Sequence, residues 1–165
     1  MSEVVVRLPS IEPGRRPRFD YTGTHRYLIT LPVFADRRVF VERQRVLTVL
    51  HALRDSALVH RFDVYAYCFL PSDLTLVVRG KDTKANLKEF LRAFRLLSSN
   101  AMTQELGHTL WKKKYFERVL RKNEETRAIV ASVFERPVKA GLIKQASQYP
   151  YQGSFVLVPK KQYRR

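Results

Sequence analysis

Two strand-like runs with only two residues between them constrain the fold of this chain most. Residues 62–70 and 73–78 are rich in aromatic and β-branched side chains, and only Pro71 and Ser72 separate them. This spacing is typical of a β-hairpin, because a two-residue connection reverses the chain tightly enough to pair neighbouring strands. Any fold for the chain must therefore place these two strands side by side.

Strand and helix patterns alternate around the hairpin. Counting the hairpin as two strands, the order is β-α-β-β-α-β followed by a helix. The other elements are predicted over residues 26–31, 39–58, 83–106 and 124–135, with the fourth strand within 109–120. We expect Thr83 to cap the second helix, and Leu97 and Ala101 to belong to its apolar stripe. The third helix should end before Pro137, because proline interrupts helical hydrogen bonding.

This order predicts an α+β, ferredoxin-like split βαβ fold. Such a fold has an antiparallel four-stranded sheet with helices on one face, here with a C-terminal helix added. We expect a basic arm over residues 1–20, the folded domain over 21–152, and a basic tail over 153–165 that either adds a strand or docks on a partner. The fold hosts many unrelated functions, so the function must be argued from particular residues.

The charge balance indicates a polyanionic partner. The 165 residues contain 31 Lys and Arg against 15 Asp and Glu, which gives a net charge of +16 and an isoelectric point near 10.4. Phosphate neutralisation by Lys and Arg releases counterions and supplies affinity for any nucleic acid sequence. Nucleic acid is therefore the predicted partner, and a solvated basic surface is the alternative.

Several function classes do not fit the composition. Cys68 is the only cysteine, which excludes a disulfide framework within the chain, and its apolar surroundings favour a buried small side chain over a ligand or nucleophile. No apolar run reaches the ~18 residues of a membrane-spanning helix. We expect no secretory signal and a cytoplasmic location. The four histidines lack metal-ligand spacing, so surface or capping roles are favoured.

Several segments in the right order resemble the HUH single-strand transposases, specifically the REP-associated tyrosine transposases. The resemblance covers about residues 15–151. Its carriers are short: Tyr27-Leu28-Ile29-Thr30, Ala66-Tyr67-Cys68-Phe69-Leu70-Pro71, Leu110-Trp111 with Tyr115-Phe116, Pro137-Val138-Lys139-Ala140-Gly141-Leu142, and Tyr149-Pro150. The resemblance implies a DNA strand transferase that recognises a hairpin and attacks the backbone through a tyrosine.

The catalytic positions that the resemblance implies are replaced. The family reads Asn-His-hydrophobic-His where this chain has Ser72-Asp73-Leu74-Thr75, and the family tyrosine falls on Ser132. The asparagine before the Pro-Val-Lys element is Arg136. The period of a strand places Asp73 and Thr75 on one face, but a carboxylate and a hydroxyl are a poor metal set. We therefore expect no catalytic residues and no cofactor, with weak Mg²⁺ binding at Asp73 as the alternative.

The sequence predicts a nucleic-acid-binding protein that recognises hairpin or single-stranded DNA without cleaving it, as a monomer or homodimer. RNA is a second target to test. One alternative is residual metal-dependent cleavage with Ser132 or Tyr115 as nucleophile, and another is an interaction subunit of a nucleoprotein complex. Trp111 is expected in the core rather than stacked on a base. The predicted nucleic-acid-binding residues are Arg15, Arg16, Arg18, Arg26, Arg37, Arg38, Lys112, Lys113, Lys114, Tyr115, Arg118, Arg121 and Lys122.

Overall fold

A computed structural model describes residues 19–156 as a sheet of five antiparallel strands with four α-helices. The strands are β1 (Arg26–Pro32), β2 (Phe62–Leu70), β3 (Asp73–Gly80), β4 (Phe116–Val119) and β5 (Gln152–Gly153). Their order across the sheet is β4-β1-β3-β2-β5. The first four strands confirm the predicted ferredoxin-like class, and β5 adds a short edge strand beside β2. The basic arm before residue 19, including Arg15, Arg16 and Arg18, and the tail after residue 156 lie outside the described residues.

The helices cover both faces of the sheet. They are α1 (Arg43–His60), α2 (Leu87–Leu106), α3 (Thr126–Phe134) and α4 (Arg136–Lys139). Helices α1 and α2 pack side by side on the first face, which Ile29, Leu31 and Leu76 line. Helix α3 packs on the second face, against Ala66 and Val77 of the hairpin strands. The predicted C-terminal helix therefore builds a second, smaller core opposite the main one.

Helix α1 begins at Arg43 rather than near Val39. The backbone N–H of Phe40 donates to the carbonyl of Pro71, 3.0 Å away, so this residue is bonded to the hairpin turn instead of to a helix. Val39 and Phe40 are both buried. The segment therefore enters the core in an irregular conformation before the helix begins.

Helix α2 differs from its prediction in its cap and in its apolar stripe. Asn86, and not Thr83, caps the helix, because its side-chain oxygen accepts from the backbone N–H of Glu89 at 3.2 Å. The buried stripe continues through Ser98 and Met102. Leu97, which was predicted in the stripe, is 45% exposed, and Ala101 is also exposed.

A hydrogen bond explains how a serine takes the place of an apolar residue in that stripe. The Ser98 hydroxyl donates to the carbonyl of Phe94 at 2.7 Å and accepts from Nε1 of Trp111 at 2.8 Å. Ser98 is fully buried and Trp111 is 5% exposed. The prediction that Trp111 belongs to the core is confirmed, and Ser98 satisfies its indole N–H.

The chain after α3 returns to the sheet edge. The prediction that the third helix ends before Pro137 is confirmed, since α3 ends at Phe134 and Pro137 lies in the first turn of α4. Gln152 and Gly153 then pair with Cys68 and Tyr67 of β2. No helix within residues 19–156 is long and apolar enough to cross a membrane.

Candidate nucleic-acid interface

A charged cluster lies on the second face of the sheet where α4 begins. Asp73 and Thr75 are two residues apart on β3, and both side chains point to Arg136. Nη1 of Arg136 donates to Oδ1 of Asp73 at 2.9 Å and to the hydroxyl of Thr75, and Nη2 donates to Oδ2 of Asp73 at 3.2 Å. The side chains of Arg136 and Asp73 are 29% and 16% exposed. The cluster is thus a bidentate ion pair that is largely shielded from water.

Burial and charge act in opposite directions on the guanidinium of this cluster. Burial alone would lower the pKa of Arg136, but the hydrogen bonds and negative charge of Asp73 outweigh it and raise that pKa above its ordinary value. Cys68 lies beside the cluster on β2, and burial raises the pKa of its thiol to about 12. Cys68 is fully buried, which confirms its predicted role as a small core side chain.

The β1 and β4 half of the second face is less covered than the hairpin half. Helices α3 and α4 lie over β2 and β3, whereas Phe116 on β4 is 40% exposed. Phe116 pairs with Thr30 of β1, and the Thr30 hydroxyl lies 3.0 Å from that of Thr75. Arg118 pairs with Leu28 one step along the same face. We name Thr30, Phe116 and Arg118 the open strip.

A first set of basic side chains surrounds the start of β1. Nη1 of Arg26 donates to the carbonyl of Glu124 at 2.6 Å and to Oγ1 of Thr126 at 3.0 Å, and Nη2 donates to the carbonyl of Arg121. Arg26 therefore fixes the loop that leads into α3. We name this set the Arg26 group; its members are Arg26, Arg79, Arg118, Arg121, Lys122 and Arg127.

A second set of basic side chains lies beyond the other end of β1. We name residues 112–114 the lysine loop, and the bridge between Trp111 and Val33 joins it to the sheet. Nη2 of Arg95 donates to the carbonyls of Lys112 and Lys113 at 2.7 and 2.9 Å. The Lys113 and Lys114 side chains are exposed. We name this set the lysine-loop group; its members are Arg37, Arg38, Lys112, Lys113 and Lys114. At ~3.3 Å per residue, the length of β1 separates the two groups by roughly 20 Å.

The fold matches that of two solved transposase structures. A REP-associated tyrosine transposase bound to a REP hairpin superposes with a TM-score of 0.69 at 19% identity, over 92% of this chain and 82% of that one. A proposed transposase from Deinococcus radiodurans R1 superposes with a TM-score of 0.52 at 19% identity, over 70% of this chain and 92% of that one. The chain has the transposase fold. No family model and no curated protein matches the sequence.

The resemblance to the HUH transposases implies a divalent metal ion at positions 73 and 75, but the residues present do not fit one. Both carboxylate oxygens of Asp73 and the hydroxyl of Thr75 already accept hydrogen bonds from Arg136. A metal ion there would lie next to a guanidinium and be repelled by it. Within residues 19–156, no three His, Cys, Asp or Glu side chains form a metal-binding group.

Ser132, where the sequence resemblance places the transposase tyrosine, does not join the cluster. Its hydroxyl donates to the carbonyl of Ile129 at 2.7 Å, within its own helix. Val130 and Val133 form the buried side of α3, and Ser132 is exposed. At 100° per residue it lies roughly opposite that buried side. The structure brings Asp73, Thr75 and Arg136 together and leaves Ser132 apart from them.

Tyr115 lies on the first-face side of β4, in contrast to its neighbour Phe116. Its hydroxyl lies 3.3 Å from Nζ of Lys88, and the guanidinium of Arg95 lies 5.1 Å from the ring centroid. Burial raises the pKa of the Tyr115 phenol. A base-stacking role for Tyr115 stays a prediction from the sequence, while Phe116 is the aromatic side chain that reaches solvent on the open strip.

Sequence reasoning did not select Phe116, Arg79 or Arg127 for the interface. Successive side chains along an extended segment point to opposite faces of the sheet, so Tyr115 and Phe116 are expected on different faces. The sequence pattern alone does not say which of the two faces the core. Arg79 could have been found from the hairpin pattern, since it directly follows the apolar run of β3 and has the same parity as Asp73 and Thr75. Arg127 carries no comparable signal.

Proposed function

We propose that the chain binds hairpin or single-stranded DNA across the second face of its sheet and does not cleave it. The observation that carries the proposal is the exposed phenyl ring of Phe116 on the open strip, with the Arg26 group at one end of β1 and the lysine-loop group at the other. Phosphate contacts set position and affinity, and an aromatic ring stacks on any unpaired base. The fold shared with a hairpin-bound transposase supports the same kind of ligand.

The charged cluster supports binding without strand cleavage. A nucleophilic hydroxyl needs a positioned base or metal ion to attack a phosphodiester. The side-chain oxygens at positions 73 and 75 already accept hydrogen bonds from Arg136, and the Ser132 hydroxyl donates within its own helix. The Arg136–Asp73 pair then serves to fix α4 on the sheet. A cytoplasmic location and a monomeric or dimeric state remain predictions from the sequence.

The binding half of the proposal is tested by fluorescence anisotropy with a DNA hairpin that carries a single-stranded flank. If about six phosphates are contacted, affinity falls roughly thousandfold between 50 and 200 mM salt. A DNA duplex and an RNA hairpin of matched sequence, measured in parallel, show whether the chain prefers DNA over RNA and a hairpin over a duplex. Absent or salt-independent binding to all these nucleic acids would overturn the proposal.

The lysine-loop group offers a matched pair of variants. K113Q/K114Q removes two exposed charges beside the open strip, whereas R43Q/R92Q removes two exposed charges from α1 and α2 on the opposite layer. The first variant should weaken hairpin binding and flatten the salt slope by roughly 1.4 to 1.8, and the second should change neither by a comparable amount. Equal effects of the two variants would show non-specific attraction instead.

The non-cleaving half is tested with labelled hairpin DNA incubated with Mg²⁺ or Mn²⁺. We expect the substrate to be recovered intact and the protein to run free of DNA on a denaturing gel. A nick or a covalent adduct would establish residual strand cleavage, and S132A and Y115F would then show which hydroxyl is responsible.

A further inference from the structure

A concavity in the Arg26 group combines four cations with a fixed backbone. It is a shallow depression of about 600 Å³, widely open to solvent, between the start of β1, the end of β3 and the start of α3. Its walls carry Arg26, Arg79, Lys122 and Arg127 together with Glu124, Glu125 and two threonines. The three hydrogen bonds that Arg26 donates hold the loop wall in place.

Two of these cations face each other directly across the sheet. Arg26 of β1 pairs with Arg79 of β3 in the strand register, and both side chains point to the second face. Directly opposed residues have Cβ atoms ~5 Å apart, and like charges at that distance destabilise a sheet. Arg26 donates only to uncharged oxygen atoms, so its own charge stays unneutralised. An anion between the two side chains would remove the repulsion.

The nearest carboxylates are paired with other cations. Asp63 stands opposite Arg79 in the register of β2 and β3, and its Oδ1 lies 3.8 Å from Nζ of Lys81. Both oxygens of Glu124 accept from Arg118, and one also accepts from the backbone N–H of Arg121. Within residues 19–156, no carboxylate lies within ion-pairing distance of Arg79, Lys122 or Arg127. All three side chains are exposed. Their donors are thus free to meet a ligand.

We propose that this concavity is a phosphate-binding site that holds backbone phosphates of the bound nucleic acid. Arg79 and Arg127 supply the charge-assisted hydrogen bonds, Lys122 adds a point charge, and Arg26 orders the wall and contributes to the potential. The proposal rests on the nucleic-acid binding proposed above. It places one end of the bound strand at the start of β1, roughly 20 Å from the lysine loop.

The first experiment compares R79Q/R127Q with the control R43Q/R92Q in hairpin binding. Two lost phosphate contacts make the slope of log K against log salt shallower by roughly 1.4 to 1.8, which is a loss of about 25-fold to 60-fold at 0.1 M salt. Without DNA, R79Q/R127Q should melt within a few degrees of the wild type, since Arg79 stands between a like charge on Arg26 and an opposite charge on Asp63. An unchanged melting temperature with weakened binding separates a binding role from a structural one.

The second experiment titrates the wild-type chain and R79Q/R127Q with inorganic phosphate at constant ionic strength. NMR follows the chemical shifts of the backbone amides at positions 126 and 127. Weak, saturable shifts in the wild type alone, together with the loss of hairpin affinity, support the site and a strand as its phosphate source. Tight phosphate binding with unchanged hairpin affinity supports the phosphate site but assigns it to a free phosphate ligand.

Two further outcomes separate the site from the function on which it rests. If the wild type binds hairpin DNA, R79Q/R127Q matches the control, and phosphate shifts no amide, the site is overturned and the proposed function stands. If the wild type binds no nucleic acid, the proposed function fails, and so does the proposal that the site holds strand phosphates. Saturable phosphate shifts would then support a site for a free phosphate ligand. The absence of such shifts would overturn the site.

Discussion

Replacing Asp73 with alanine is expected to destabilise the chain by leaving the Arg136 guanidinium without its counter-charge. Removing one partner of a fully buried ion pair costs ~3–5 kcal/mol, mostly from the unpaired charge that remains. Here the two side chains are 29% and 16% exposed, so water screens part of that cost. We expect the free energy of unfolding to fall by about 2 kcal/mol, or the melting temperature by roughly 4–8 °C.

A double-mutant cycle isolates the pair from its surroundings. The variants are D73A, R136M and D73A/R136M, measured by urea unfolding at pH 7 with two optical probes to check two-state behaviour. Methionine keeps much of the arginine stem but carries no charge, so the double variant should lose less than the sum of the single losses. We expect a coupling energy of about 1–2 kcal/mol. Additive losses, or a D73A variant within 0.5 kcal/mol of wild type, would refute the view that this pair holds α4 on the sheet.

Three further predictions concern single side chains. F116A should weaken binding to a hairpin with unpaired bases by roughly 5-fold to 150-fold, the cost of one lost stack. Its stability loss should be about 1–2 kcal/mol, because Phe116 is 40% exposed. Y115A should lower stability more and hairpin binding less, and the reverse pattern would remove Phe116 from the interface. At pH 8 a thiol of pKa about 12 is only about one part in ten thousand thiolate, so Cys68 should resist iodoacetamide in the folded chain and react in 6 M urea; fast native labelling, followed by mass spectrometry, would contradict its burial. S98A should cost about 1–3 kcal/mol in urea unfolding, because it leaves the Trp111 indole N–H unsatisfied, whereas L97A at an exposed position should cost far less; equal costs would contradict the observed stripe of α2.

The elements that the sequence predicted correctly are those with local signals. The hairpin followed from two strand-like runs around Pro71 and Ser72, and its bounds agree with β2 and β3. Leu97 was predicted in the core because it is apolar and lies at helical spacing from the other apolar residues of the segment. Ser98 is buried instead, because its hydroxyl meets Trp111 from a segment after the helix. That partner is thirteen positions along the chain, beyond the reach of any periodicity.

The residues of the proposed interface followed from the sequence only in part, for the same reason. The basic composition indicated nucleic acid, and the two-residue period correctly placed Asp73 and Thr75 on one face. The opposition of Arg26 and Arg79 depends on the register of β1 against β3, and these strands are separated by a helix and a strand in the sequence. The net charge includes both arginines but carries no information about which strands pair, so it does not show that the two face each other.

The chemistry of the charged cluster links the residues at positions 73, 75 and 136 to one another. A guanidinium at position 136 would be repelled by a metal ion held at 73 and 75, and also by two protonated histidines there. With a carboxylate at 73 and a hydroxyl at 75, two of its nitrogens find three acceptor contacts. The three residues therefore fit one another as one unit: arginine at 136 requires an anion at 73, and Asp73, 16% exposed, requires the arginine. If the unfolding cycle gives the expected coupling, the pair of Asp73 and Arg136 acts as one unit that holds α4 on the second face of the sheet.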